Sequence, residues 1–258
     1  MLDTPALNRL ANQLHCSTYV VLREYCQGVV LSALARHKSS QHFIFKGGTC
    51  IRFLYQSDRF SEDLDFTIRN LDQDTAVMAL SETTAAINEG GSITLKPKKS
   101  LAGQRFMLTW STPILKTDIK IKLDLSFREK DFQCLTSALT FPRYPIKSDS
   151  VIYHYSPSTI LAEKVHAIMN RTKGRDLYDI WFLISMLTPL DQALIHKKFA
   201  FYGDTFNHRA FVNRLKAFPV DKFVVDLAPF VTNKDRPRLA EIHQIITTTL
   251  PDRLAPKH

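Results

Sequence analysis

Between Ala6 and about His37, apolar residues recur at spacings of three and four, as in Val20, Val21, Tyr25, Val29, Val30 and Leu34, which predicts amphipathic helices. The next run, HFIFKGGTCIRFLY, reads as a short apolar strand over 43–45, a Lys-Gly-Gly-Thr turn and a helix toward Tyr55. Residues 57–59 form a turn, and DLDFTI alternates acidic and apolar residues as a half-buried strand does. A polar helix over 72–88 is stopped by Gly90 and Gly91, and strand-like runs follow at 93–98, 105–110 and 118–127. From Ser158 onward the period turns helical, through TILAEKVHAIMNR, RDLYDIWFLISML and weaker segments to Leu250. The pattern changes within 141–156, read as an irregular stretch punctuated by Pro145 and Pro157. These boundaries predict an α+β front part over 1–150 and a helical part over 151–258, with no internal repeat and no low-complexity tract.

Composition narrows the classes without choosing among them. With 258 residues, 45% hydrophobic and 23% charged, the chain is long enough to bury a sizeable core, and disordered, collagen-like or coiled-coil readings do not fit. Cys16, Cys26, Cys50 and Cys134 lie far apart with no C-x-x-C pair, so reduced thiols are expected rather than a zinc knuckle or a disulfide framework. The N-terminal stretch lacks a basic region followed by an apolar run, and no apolar stretch is long enough to span a bilayer. A soluble cytoplasmic protein without a membrane partner is therefore expected. The formal charge of +9 favours polyanions in general. The Lys96, Lys98, Lys99 cluster reads as a solvated strand end.

Candidate chemistry centres on Asp63 and Asp65, which are separated by one residue in a predicted strand and so point to the same side. Two like charges held there repel unless a cation neutralises them, and hard carboxylate oxygens select magnesium or manganese over zinc. In the run TDIKIKLDLSF, Ile121, Leu123 and Leu125 share one face while Lys120, Lys122, Asp124 and Ser126 share the other. If this strand neighbours the first, Asp124 supplies a third carboxylate, enough to hold two metal ions. The bland alternative pairs Asp124 with Lys122 or Lys120 on a solvated face. Upstream, Gly47 and Gly48 permit close backbone approach, and Thr49 caps the helix or bonds a phosphate oxygen at its electropositive start. Arg59 and Ser61 either hold phosphate oxygens or, for Arg59, brace the acidic pair. A Walker A loop, a G-x-G-x-x-G fingerprint, an H-E-x-x-H pair and a G-x-S-x-G elbow are all missing. His166 reads as a plain helical histidine, and Tyr178, Trp181 and Phe182 as helix packing.

The order strand, Gly-Gly-Thr, helix, Asp-x-Asp strand and later Asp strand resembles the polymerase β-like nucleotidyltransferases. More narrowly, KGGT, RFSEDLDF, KIKLDLS, LAEKVHAIMNR and GRDLYDI, spread over 46–180, resemble the AbiEii family of nucleotidyltransferase toxins from bacterial type IV toxin–antitoxin systems. The resemblance implies a polymerase β-like core with a mixed sheet and flanking helices, followed by a helical lobe over 151–258 that closes the nucleotide cleft. It implies an NTP substrate, Mg2+ or Mn2+, and a cognate antitoxin. It also implies that Lys164 contacts nucleotide phosphates and that Asp176 and Asp179, on one helix face, complete the site; without it, these charges read as ordinary surface residues. The expected reaction is transfer of a nucleoside monophosphate to RNA, such as the 3′ end of tRNA. A small-molecule acceptor and a catalytically inactive nucleotide-binding module are the competing readings.

Overall fold

Period-two alternation builds a seven-stranded mixed sheet among the described residues. The computed structural model describes residues 2–99, 103–129 and 131–254. Two compact units divide it, Met1–Tyr155 and Ser156–His258.

In the first unit, α1 (Thr4–Gln13) and α2 (Thr18–Arg36) precede β1 (Phe43–Lys46), α3 (Gly47–Tyr55), β2 (Asp63–Ile68) and α4 (Gln73–Ala85). Then come β3 (Ser92–Lys98), β4 (Gln104–Ser111), β5 (Ile119–Ser126), β6 (Cys134–Ala138) and β7 (Val151–Tyr155). Asp3, Ser17 and Asp72 cap α1, α2 and α4, each accepting a bond from a backbone N–H of the first turn. Strands β3, β4 and β5 form an antiparallel meander; β2 runs parallel to β5 and antiparallel to β1. One face of the sheet carries Phe43, Phe45, Leu64, Phe66, Leu108, Trp110, Ile121 and Leu123, all buried. Helix α2 packs on β5 and is in turn packed by α1 and α4.

Two features depart from the sequence reading. Helix α2 is not amphipathic: Arg23, Glu24, Gln27 and Ser32 are buried along with its apolar residues, because the helix is enclosed by the sheet and its neighbours. Glu24 is satisfied there by a two-point contact from Arg52 (2.8 and 3.3 Å) and by the Tyr144 hydroxyl (3.0 Å). The supposedly irregular region, and the segment before it, hold β6 and β7. The latter pairs parallel to β1, so residues 151–155 belong to the sheet unit and not to the helical part.

The second unit is helical throughout its described residues: α5 (Pro157–Asn170), α6 (Gly174–Ser185), α7 (Gln192–Phe201), α8 (His208–Lys216), α9 (Val220–Leu227) and α10 (Leu239–Arg253), with two short 3-10 turns before α10. Helix α5 packs on α6, α7 and α8, while α9 joins α6 to α10. Gly174 opens α6 where a Cβ would lie 2.7 Å from the Phe223 backbone, so only glycine allows the α6–α9 approach. None of the four cysteines forms a disulfide. No helix among the described residues is long and apolar enough to cross a membrane.

The Glu24–Arg52 pair is buried at both ends, and removing one partner leaves an uncompensated charge. Arg52→Met should cost about 3–5 kcal/mol of stability in urea unfolding, whereas Tyr144→Phe, which deletes one hydrogen bond, should cost about 1 kcal/mol. A loss below about 1 kcal/mol for Arg52→Met would show that the pair is not structural.

Candidate active site

The β1–α3 turn is built around two glycines. Lys46 is extended, Gly47 has a φ of +77°, and α3 begins at once, leaving its first N–H groups without helical acceptors. A Cβ at Gly47 would fall 2.2 Å from Asp65 Oδ2, so the absent side chain is what lets this carboxylate lie against the turn. A Cβ at Gly48 would fall 2.3 Å from Arg59 Nη2 and 3.1 Å from Ser61 Oγ. The Thr49 hydroxyl, buried, donates to the backbone oxygen of Asp63 and ties α3 to β2. Thr49 therefore acts here through β2. Arg59 is also buried and donates to the Phe60 carbonyl at 3.0 Å, while Gln27 donates to the Ser61 carbonyl at 3.3 Å. Gly47, Gly48, Arg59, Ser61 and Asp65 thus converge at the start of α3.

Strand register brings in the third carboxylate. Asp65 stands opposite Asp124 across the parallel β2–β5 pair, and Asp63 stands opposite Lys122. Paired residues share a face, so Asp63, Asp65 and Asp124 all lie on the polar side of the sheet. One row crosses five strands in the order Lys98, Arg105, Asp124, Asp65, Lys46. Asp124 is engaged by the Arg105 fork, Nε at 2.9 Å and Nη2 at 2.7 Å, and Asp63 by Lys122 at 3.1 Å. Lys46 turns to Glu129 at 3.2 Å. The donor set, three carboxylates on adjacent strands, suits a hard divalent cation. Yet the expected ligand cluster is not assembled: no three acidic, His or Cys side chains among the described residues stand close enough to share one ion. Arg105 and Lys122 hold two of the three carboxylates instead.

Neither bland pairing of Asp124 occurs, since Lys122 goes to Asp63 and Asp124 to Arg105. Arg105 escaped the sequence reading. Its alternation with Phe106, Leu108 and Trp110 placed it on the polar face, but the strand opposite it is visible only in the folded register.

Within the second unit, Lys164 donates to Asp176 at 3.2 Å and pairs with Asp179 at 2.8 Å; Arg171 reaches Asp176 at 2.8 and 3.1 Å. Both aspartates are buried, unlike surface charges, and their one-face spacing serves to grip Lys164. His166 bonds Asp204 at 2.7 Å and stacks on Tyr202 with centroids 4.5 Å apart, so it is more than a plain helical histidine. Lys198, also buried, is matched by Glu163 at 2.9 Å.

Comparison with known proteins locates this arrangement. A family model described as "Nucleotidyl transferase AbiEii toxin, Type IV TA system" matches residues 29–253, beyond the motif-bearing stretch on both sides. No curated protein matches the chain. The nucleotidyltransferase toxin MenT4 (Rv2826c) of Mycobacterium tuberculosis H37Rv shares the fold at 18% identity and a TM-score of 0.67, over 99% of this chain and 94% of that one. JHP933 of Helicobacter pylori does so at 23% identity and a TM-score of 0.52, over 92% and 95%.

Burial pushes the Asp176 carboxyl up, but Lys164 and Arg171 outweigh it and hold it at about 2, below its ordinary 3.8. A carboxylate depressed on folding stabilises fully above its unfolded value, and that contribution fades as the pH falls through the folded one. The stability gap between the wild type and Asp176→Asn should therefore narrow by about 2 kcal/mol as the pH drops from about 4 to 2. Urea unfolding across that range measures it; a constant gap would contradict the ion-pair assignment.

Proposed function

Because the chain belongs to the AbiEii family of nucleotidyltransferase toxins of type IV toxin–antitoxin systems, we propose that it transfers a nucleoside monophosphate from an NTP to RNA, at the 3′ end of tRNA, and so blocks translation. The observation that carries this reading is the in-register placement of Asp65 beside Asp124, with Asp63 on the same face and the Gly47–Gly48 turn against Asp65.

In this proposal Asp63, Asp65 and Asp124 would hold Mg2+ or Mn2+. The cation would stabilise charge on the triphosphate and on the attacking oxygen. Backbone N–H groups at the start of α3, with Gly47 and Gly48 offering no side-chain obstruction, cradle phosphate oxygens. Ser61 and the Arg59 guanidinium beside Gly48 add donors to the same phosphates. Asp124 accepts the proton of the acceptor hydroxyl. The new bond joins that oxygen to the α-phosphorus, the bond from the α-phosphorus to the bridging oxygen breaks, and pyrophosphate leaves. Lys164 contacts the nucleotide phosphates, and Asp176 and Asp179 act by fixing its ammonium. A cognate antitoxin and a cytoplasmic setting go with the family. The +9 charge supports a polyanionic acceptor.

Purified protein incubated with labelled NTPs, magnesium and total RNA tests the proposal, with Asp65→Asn as the control. Label should appear on tRNA and fall steeply between low and moderate salt, because several phosphate contacts release counterions. Asp65→Asn should remain folded, since it removes a repelling charge, but lose about a thousandfold in transfer. Label only on small metabolites, with a shallow salt dependence, would reject the RNA acceptor in favour of a small molecule. Near-normal transfer by Asp65→Asn would reject the carboxylate site.

A further inference from the structure

Asp124 occupies the middle of the charged row, with a cation on one side and a carboxylate on the other. Arg105 flanks it from β4 and Asp65 from β2, both directly in register. Directly opposed side chains have Cβ atoms about 5 Å apart, so a rotation of the Asp124 side chain suffices to lean it either way. In the structure it leans toward Arg105, whose Nε and Nη2 both end on Oδ2. These two charge-assisted bonds to one carboxylate oxygen partly offset the repulsion between Asp124 and Asp65 that folding imposes. The Arg105 side chain is nevertheless 40% exposed, unlike that of Arg52 at 5%. Lys122 on Asp63, 39% exposed, repeats the arrangement one row away.

We infer that Arg105 is an internal counter-cation that exchanges partners: it holds Asp124 when the site contains no divalent ion, yields it when one binds, and then passes its guanidinium to the phosphates of the nucleotide. The inference rests on the assignment of Asp63, Asp65 and Asp124 as metal ligands. Its physical basis is that one carboxylate cannot serve both cations at full strength. An ion between Asp65 and Asp124 would sit within about 5 Å of the guanidinium and repel it. Once displaced, the guanidinium stands on the polar face beside the ion without its former counter-charge, and a planar fork of donors matches a phosphate as well as it matches a carboxylate. Arg105 is thus a positioning residue for Asp124 in one state and a substrate-binding residue in the other.

The exchange predicts changes of opposite sign from one substitution. In nucleotide-free protein, Arg105→Gln should bind Mn2+ about three- to tenfold more tightly than the wild type, as read by electron paramagnetic resonance of free Mn2+, because the competitor is gone. At saturating Mn2+, where Asp124 is already taken, the same variant should bind a non-transferable α,β-methylene NTP analogue about tenfold more weakly. Arg105→Lys, which keeps the charge but not the fork, should fall between in both measurements. Circular dichroism establishes that each variant is folded; should Arg105→Gln not fold, Arg105→Lys carries both comparisons. Unchanged or weaker Mn2+ binding, or unchanged analogue binding, overturns the exchange while leaving the carboxylate site standing. Failure of the wild type itself to bind Mn2+ overturns the carboxylate site, and the exchange with it.

Discussion

The register between β2 and β5 is the constraint on which the candidate site depends. Side chains alternate faces, so a slip of one residue would set Asp124 opposite Leu64 or Phe66 and carry it to the covered side of the sheet. What prevents the slip lies on that other side: Leu64, Phe66, Leu123 and Leu125 are fully buried, and any shift would trade them for charge. The apolar face thus fixes the polar one. Packing that has no chemical role sets the carboxylates side by side, against their mutual repulsion.

That repulsion organises the rest of the first unit's polar face. Bringing Asp65 and Asp124 together in a partly solvated setting costs stability, and Arg105 and Lys122 reduce the cost by pairing with their neighbours. The Gly-Gly turn contributes by subtraction, since Asp65 and Arg59 occupy the space that side chains at positions 47 and 48 would fill. In the second unit the same logic runs with the signs reversed. Lys164 is directed by two buried aspartates, one of which also pairs with Arg171. Both arrangements are tied to elements whose opposite faces form a core.

Much of this was legible along the chain. DLDFTI coincided with β2 from end to end, and the end of α3 at Tyr55 agreed with the apolar period, although the helix begins at Gly47, inside the segment read as a turn. The polar face of β5 was readable for the same reason. Strands β6 and β7 were not, because CLTSA has little apolar character and VIYHY sits among prolines that favour an irregular reading. The burial of α2 escaped because charged residues signal a solvated face, and only the tertiary partners of Glu24 and Arg52 explain otherwise. Arg105 shows the wider limit. Facing direction is a local property of a strand, whereas the identity of a cross-strand neighbour depends on pairing between segments nearly 20 residues apart. The AbiEii resemblance pointed to Lys164, Asp176 and Asp179 together; that the aspartates hold the lysine, rather than project beside it, emerges only from the folded helices.

The central claim is that Asp63, Asp65 and Asp124 form one metal site. Its most direct test is crystallographic, with manganese and a non-transferable NTP analogue soaked in and the ion located by its anomalous scattering. The account predicts an anomalous peak at about 2.0–2.3 Å from carboxylate oxygens of Asp65 and Asp124, with Asp63 contributing to it or to a second ion about 4 Å away. An ion bound elsewhere, or bound here without Asp124, would contradict it.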